Sequence, residues 1–270
     1  MKFFKNTMTI AFSMGIVLSL VACGSNTDKN SQSNSQSNTS INETNKNEKY
    51  IIATDTTFAP FEFQDEKGEF VGIDIDIMNA IAEDQGFDIE IQSLGFNAAL
   101  QAVTSGQADG MIAGMSITDE RKQTFDFSEP YYDSAVIMAM SEKDNNINRY
   151  EDLKDKTVAV KIGTEGEKFA TSIADEYGFK IDIYDDSNSM YQAVISGSAV
   201  ACFEDYPVIK YAISQGLGLR VASEKEQGSS YGFGVKKGEN KELLDMFNAG
   251  FSNIQENGKY QEILDKYIQE

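Results

Sequence analysis

A strand-like run, Ile52-Ala53-Thr54, ends at Asp55, and Phe58 follows three residues later on a turn held by Pro60. A carboxylate and an aromatic wall are thereby set at one strand end. Further on, Ile112-Ala113-Gly114-Met115-Ser116 leads from a strand through a glycine and a hydroxyl toward Thr118-Asp119-Glu120-Arg121. Thr118 is expected to cap a helix with Arg121 in its first turn. A guanidinium beside freed amides suits a carboxylate guest. Arg121 stands out because the chain has only two other arginines, Arg149 and Arg220. This is the chemistry of holding a small polar molecule. The chain has no histidine, which removes Ser/His/Asp and Cys/His nucleophile pairs, His-ligated zinc and imidazole acid/base work together.

The elements that must position these residues come from a chain of 270 residues, 41% hydrophobic and 24% charged. Such a chain can form one large domain or two modest ones. Lys and Arg total 23 against 43 Asp and Glu, a net charge of -20. That surface repels phosphates, so no nucleic-acid partner is expected.

Residues 1–22 read as a signal peptide, with Lys2 and Lys5 before an apolar run from Met8 to Ala22. The run ends Leu20-Val21-Ala22-Cys23, which resembles the bacterial lipobox and implies lipidation of Cys23. Residues 23–48 are expected to be a flexible tether, Asn- and Ser-rich with one apolar residue, Ile41, after Cys23. Cys202, the only other cysteine, lies in the apolar run Ala199-Val200-Ala201-Cys202-Phe203, where a thiol acts as a small hydrophobe.

From Tyr50 onward, short β-rich runs alternate with helical periodicity, the pattern of an α/β fold. Strands are expected at 50–54, 89–91 and 110–113, with helices at 74–85 and 98–105 between them. After an extended stretch at 134–140 the pattern repeats. Strands at 157–160, 181–184 and 200–203 enclose helices at 166–177 and 190–196, and Pro207 suits a first helical turn. Two C-terminal helices, 241–257 and 259–268, carry Leu243, Leu244, Phe247 and Phe251 at packing spacing. Two such units suggest two lobes around a cleft.

The stretches ATDTTFAPFEF from Ala53, GIDIDI from Gly72, SGQADG from Ser105, ITDERK from Ile117 and DFSEPYY from Asp126 together resemble the polar amino acid-binding proteins of ABC importers. The resemblance runs from Tyr50 to Ile268. It implies an α/β, two-lobed periplasmic-binding-protein-like fold of type II, each lobe a βαβ-rich sheet, joined by two crossings at 131–135 and 227–231. One lobe would comprise 49–131 and 232–270, the other 136–226. It further implies that Arg121 clamps a ligand carboxylate with help from Ser116, and that the Gly114 carbonyl and Asp205 receive the ammonium. Phe58 and Phe96 would sandwich the stem, Asp55 and Lys161 would face the side chain, and Thr164 would close on the carboxylate. Glu204 and Glu165 replace a histidine and a glycine of the family's glutamine-binding pattern.

The function so implied is extracytoplasmic capture of a polar L-amino acid and its delivery to an ABC importer permease. The protein would be a monomer without cofactor or metal, anchored through Cys23 to the outer face of the cell membrane. Glutamine is the favoured ligand, since a cationic side chain would be repelled by Lys161. Arginine, lysine or ornithine is the alternative, because Glu165 and Glu204 add carboxylates. A dehydratase on the same fold, with Glu165 or Glu204 as general acid, is the rival from another class, and an amino acid sensor module is a third.

Overall fold

The computed structural model describes residues 49–268. The expected signal peptide, Cys23 and tether lie outside them. No described helix is long and apolar enough to cross a membrane.

Two mixed sheets organise two lobes. In the first, the order is Asp88–Ser93, Lys49–Thr54, Gly110–Met111, Gly234–Lys236, Phe125–Phe127. The first three strands are parallel and the last two run antiparallel to their neighbours or each other. The second sheet is ordered Lys180–Tyr184, Thr157–Lys161, Ala201–Asp205, Tyr132–Ser141, Leu219–Val221, and Glu226–Tyr231 also pairs with Tyr132–Ser141. Parallel strands need crossover helices, which these periodic segments provide. Helix Ile73–Gln85 buries Ile73, Ile77, Met78 and Ile81 and stops at Gly86, whose φ of 75° is left-handed. Helices Phe96–Ser105, Glu165–Tyr177 and Ser187–Ser196 likewise end at left-handed glycines.

Helix Lys241–Glu256 returns to the first lobe, packing on Ile73–Gln85 and on strand Gly234–Lys236. Its Leu243, Phe247, Phe251 and Ile254 are buried. Phe247 stacks on Phe233 with centroids 4.6 Å apart and planes 10° from parallel. Each such side chain contributes about 1.5–3 kcal/mol by leaving water.

Between the sheets the chain passes along two extended segments that pair antiparallel, Ser229 with Ser134, Ser230 with Asp133 and Tyr231 with Tyr132. The expected helix after Thr118 is corrected to a three-residue 3-10 turn, Arg121–Gln123. It cannot lengthen, because Phe125–Phe127 must pair with Gly234–Lys236. Its first amide is already used, with Arg121 N–H donating to Thr118 Oγ1 at 3.1 Å. Freed helix amides therefore do not accompany Arg121.

Candidate functional site

Strand ends and loops of both lobes converge on one tightly closed cavity lined by Phe58, Phe96, Gly114, Ser116, Arg121, Lys161, Thr164, Glu165, Glu204 and Asp205. Of the residues expected in a site, only Asp55 does not line it. Asp55 sits directly behind, fully buried.

Lys161 ends strand Thr157–Lys161 and crosses to the other lobe, where its Nζ donates to Asp55 Oδ2. The ammonium also reaches Ser187 Oγ at 3.3 Å. It lies 4.9 Å from the Phe58 ring centroid and 6.0 Å from that of Phe96, within cation–π range. Burial alone would lower the Lys161 pKa, but Asp55 and then Glu204 outweigh it, and the ammonium is held above its ordinary value. Lys161 is thus a paired cation beside the two aromatic walls.

Glu204 and Asp205 end strand Ala201–Asp205. Glu204 Oε2 accepts from Ser187 Oγ at 3.1 Å and Tyr191 OH at 3.3 Å, while Oε1 accepts from the Asp205 amide at 3.0 Å. Asp205 starts a helix without capping it. It accepts instead from the Tyr231 hydroxyl. Burial pushes the Asp205 carboxyl up to about 7, with Glu204 adding to the rise, and burial likewise raises Glu204.

Arg121 is held from both lobes. Its Nη1 donates to the Ser116 carbonyl at 2.9 Å and its Nη2 to the Gly163 carbonyl at 3.0 Å, and Glu165 Oε1 lies 3.8 Å from Nη2. The guanidinium carbon stands 5.2 Å from the Phe96 centroid. Burial lowers the Arg121 pKa, against the pull of Glu165 and Asp205. Thr164 caps helix Glu165–Tyr177, its Oγ1 accepting from Glu167 N–H at 3.2 Å and donating to the Lys161 carbonyl at 2.7 Å. A helix start therefore faces the cavity, where its partial positive charge favours an anion.

Gly114 adopts φ 50°, and a Cβ there would sit 2.3 Å from the Phe58 ring, so no larger residue fits. Its N–H donates to Asp74 Oδ2 at 2.7 Å. Ser116, 2% exposed, meets Ser229 Oγ at 3.0 Å. Cation, anion, two aromatic faces and a helix start thus surround one space closed by bonds between lobes, a geometry that can enclose a small zwitterion. Sequence reasoning missed Ser187, Tyr191 and Tyr231, which carry the internal bonds of Glu204 and Asp205 and have no motif of their own.

Residues 50–270 match the bacterial extracellular solute-binding proteins, family 3. The chain belongs to that family. It is a solute-binding protein and not an enzyme, so the dehydratase alternative falls. The resemblance drawn from the motifs is upheld. A curated relative, the arginine-binding extracellular protein ArtP of Bacillus subtilis (strain 168), is 32% identical over 269 residues, covering 98% of each chain. Substrate-binding domain 2 of Lactococcus lactis GlnP, solved in an open conformation, is 46% identical with a TM-score of 0.59, over 84% of this chain and 97% of that domain. An ancestral arginine-binding protein bound to arginine is 34% identical with a TM-score of 0.77, over 82% of this chain and 98% of the other. An ancestral arginine-binding protein bound to glutamine has the same identity and coverage and a TM-score of 0.76. The lower score beside the higher identity fits a domain solved open against a solute-binding cleft that is closed here.

Proposed function

We propose that this solute-binding protein captures a polar L-α-amino acid outside the cytoplasm by lobe closure and hands it to an ABC importer. The observation that carries the reading is the opposition of Arg121 and Asp205 on one cavity walled by Phe58 and Phe96. A guanidinium suits the ligand carboxylate, and Asp205 with the Gly114 carbonyl suits its ammonium. The names of the relatives support amino acid binding in general.

For the side chain, the amide of glutamine is our first reading. Lys161 holds a positive charge beside both aromatic rings, where it can donate to an amide oxygen and would repel a second cation. A cationic ligand is the second reading, and the relatives named above favour it, because the ArtP relative and the ancestral proteins are named for arginine. The chemistry also gives it ground: Asp55 already neutralises Lys161, and Glu165 and Glu204 remain. Calorimetric titration with glutamine, arginine, lysine, ornithine and histidine separates the two. A parent that binds arginine more tightly than glutamine replaces the first reading with the second.

The lobe limits proposed are 49–131 with 232–270 and 136–226, with the paired segments near Ser134 and Ser229 as the hinge. Lipidation of Cys23 is proposed as the anchor.

A further inference from the structure

Behind the cavity, within the first lobe, two carboxyl groups lie together with no exposed surface. Glu62 starts strand Glu62–Gln64, and Asp74 sits in the first turn of helix Ile73–Gln85. Asp74 Oδ2 accepts two hydrogen bonds, from the Gly114 amide at 2.7 Å and the Tyr131 hydroxyl at 2.8 Å. Asp74 Oδ1 and both oxygens of Glu62 are buried and receive a bond from no donor among the described residues. Their backbones run side by side, with the Asp74 amide donating to the Phe61 carbonyl at 2.9 Å, and each carboxyl acts on the other's ionisation.

Three buried acceptors without a donor are costly, and two ionised carboxylates side by side in a dry interior are costlier still. One shared proton removes the second difficulty and most of the first, because a carboxylic acid has the O–H donor that two carboxylates lack and leaves only a neutral carbonyl oxygen without one. Its owner follows from the partners. Two donors on Asp74 Oδ2 stabilise the charged form of Asp74, whereas no hydrogen-bond donor among the described residues does so for Glu62. We infer that Glu62 is a neutral carboxylic acid in the working protein and acts as a positioning residue, donating its proton to Asp74 Oδ1.

Asp74 so completed holds two parts of the binding machinery at once. Through the Gly114 amide it fixes a left-handed turn packed against Phe58. Through Tyr131 it reaches the start of the chain segment that leads to the second lobe. Burial is the largest cause of the upward push on the Glu62 pKa, with Asp74 next. Asp55 adds to it and Lys161 opposes it from the cleft side, while Tyr131 and Tyr260 face Asp74 from the hinge and the C-terminal helices. Raising the pH far enough to ionise Glu62 places two negative charges in contact, so the Gly114 turn loosens.

Two measurements test this. The first needs no ligand and stands apart from the reading of Gly114 as a ligand contact, on which the second rests. Infrared difference spectra of parent minus Glu62→Gln at pH 7.5 should show the C=O stretch of one protonated carboxyl. Other acids, Asp205 included, cancel. A difference without that band overturns the proposal, as does a melting temperature of the parent, but not of Glu62→Gln, that rises with sodium or potassium and so marks a cation in the gap. The second measures affinity for L-glutamine and L-arginine between pH 7 and 10. Glu62→Gln keeps an N–H donor to Asp74 and should stay within threefold of the parent at pH 7.5. As the pH rises past the point where the infrared band of the parent disappears, the parent should lose at least tenfold more than Glu62→Gln, whereas a constant ratio across that point refutes the positioning role. Glu62→Leu should weaken binding at least tenfold at pH 7.5, and full affinity in that variant also refutes the role. If Glu62→Leu does not fold, the comparison of parent with Glu62→Gln decides.

Discussion

Replacing Lys161 by methionine removes one charge and keeps most of the volume, so its effect on ligand choice follows from the geometry. The ammonium lies 4.9 Å and 6.0 Å from the two ring centroids, and a guanidinium lodged between those rings would stand about 5 Å from it. At an effective dielectric of about 20, two like charges at that separation repel by about 3 kcal/mol. Asp55, bonded to Lys161, offsets roughly half, leaving about 1.5 kcal/mol against arginine. Glutamine, for its part, loses one charge-assisted donor worth about 1.5 kcal/mol. Together these raise the arginine-to-glutamine affinity ratio by roughly a hundredfold, at about tenfold per 1.4 kcal/mol. Calorimetry on parent and variant with both amino acids gives the ratio directly, and because both ligands meet the same variant, its altered stability cancels. Stability itself should fall, since Asp55 is left buried without its partner, at a cost of about 3–5 kcal/mol. The double variant Lys161→Met with Asp55→Asn restores neutrality and serves as the control. A ratio that moves less than threefold refutes the idea that Lys161 selects the side chain.

Arg121→Ala and Asp205→Ala each leave a charged end of the ligand unpaired in a closed cleft and should weaken binding by about 2–5 kcal/mol; a variant within threefold of the parent removes that residue from the site. The Asp205 carboxyl, pushed up to about 7 by burial, takes up a proton as the pH falls through 7 and then cannot receive an ammonium, so affinity should drop toward tenfold per pH unit below 7. The same proton uptake stabilises the folded, ligand-free chain. A raised carboxyl contributes stability that is full below its unfolded value of 3.8 and lost as pH rises through about 7, and Asp205→Asn should flatten both curves. Cys23→Ala should release the protein from membranes into the medium with affinity unchanged, and unaltered fractionation sinks the lipid anchor.

The long elements were legible because burial of one helical face repeats every three to four residues. Ile77, Met78 and Ile81 announce helix Ile73–Gln85, and Gly86 announces its end. The small sheet of Thr57–Phe58, Glu62–Gln64 and Phe70–Val71 was not, since strands of two or three residues are too short to show a period. Thr118 misled for a different reason. It does accept the Arg121 amide, but the pairing of Phe125–Phe127 ends the turn before a helix can form. The gathering of the expected residues was legible only through the family's motifs, because Lys161 and Asp55 are 106 positions apart. That these two pair with each other was not foreseen. Nor was the internal satisfaction of Glu204, which depends on Ser187 and Tyr191 from a neighbouring helix. Glu62, in plain view within the ATDTTFAPFEF stretch, shows its role only once Asp74 is seen beside it.

Closure of such a cleft has to be conditional on ligand, and the charges show how. Bonds that span the lobes, Lys161 to Asp55, Arg121 to the Gly163 carbonyl and the Ser187 amide to Thr57 Oγ1 at 3.2 Å, favour the closed form whether or not a solute is inside. Against them stands the burial of Arg121 and Asp205, whose charged forms are each disfavoured by loss of water, as the lowered guanidinium and raised carboxyl pKa record. On the proposed assignment a zwitterion offers a carboxylate to the first and an ammonium to the second, so it would relieve both costs in the closed form and far less in an open, hydrated one. That differential affinity is what a ligand needs to shift the balance between two conformations. On that assignment the two opposed charges would do more than grip the ligand: unpaired they weigh against closure, and paired they let the bonds between the lobes prevail.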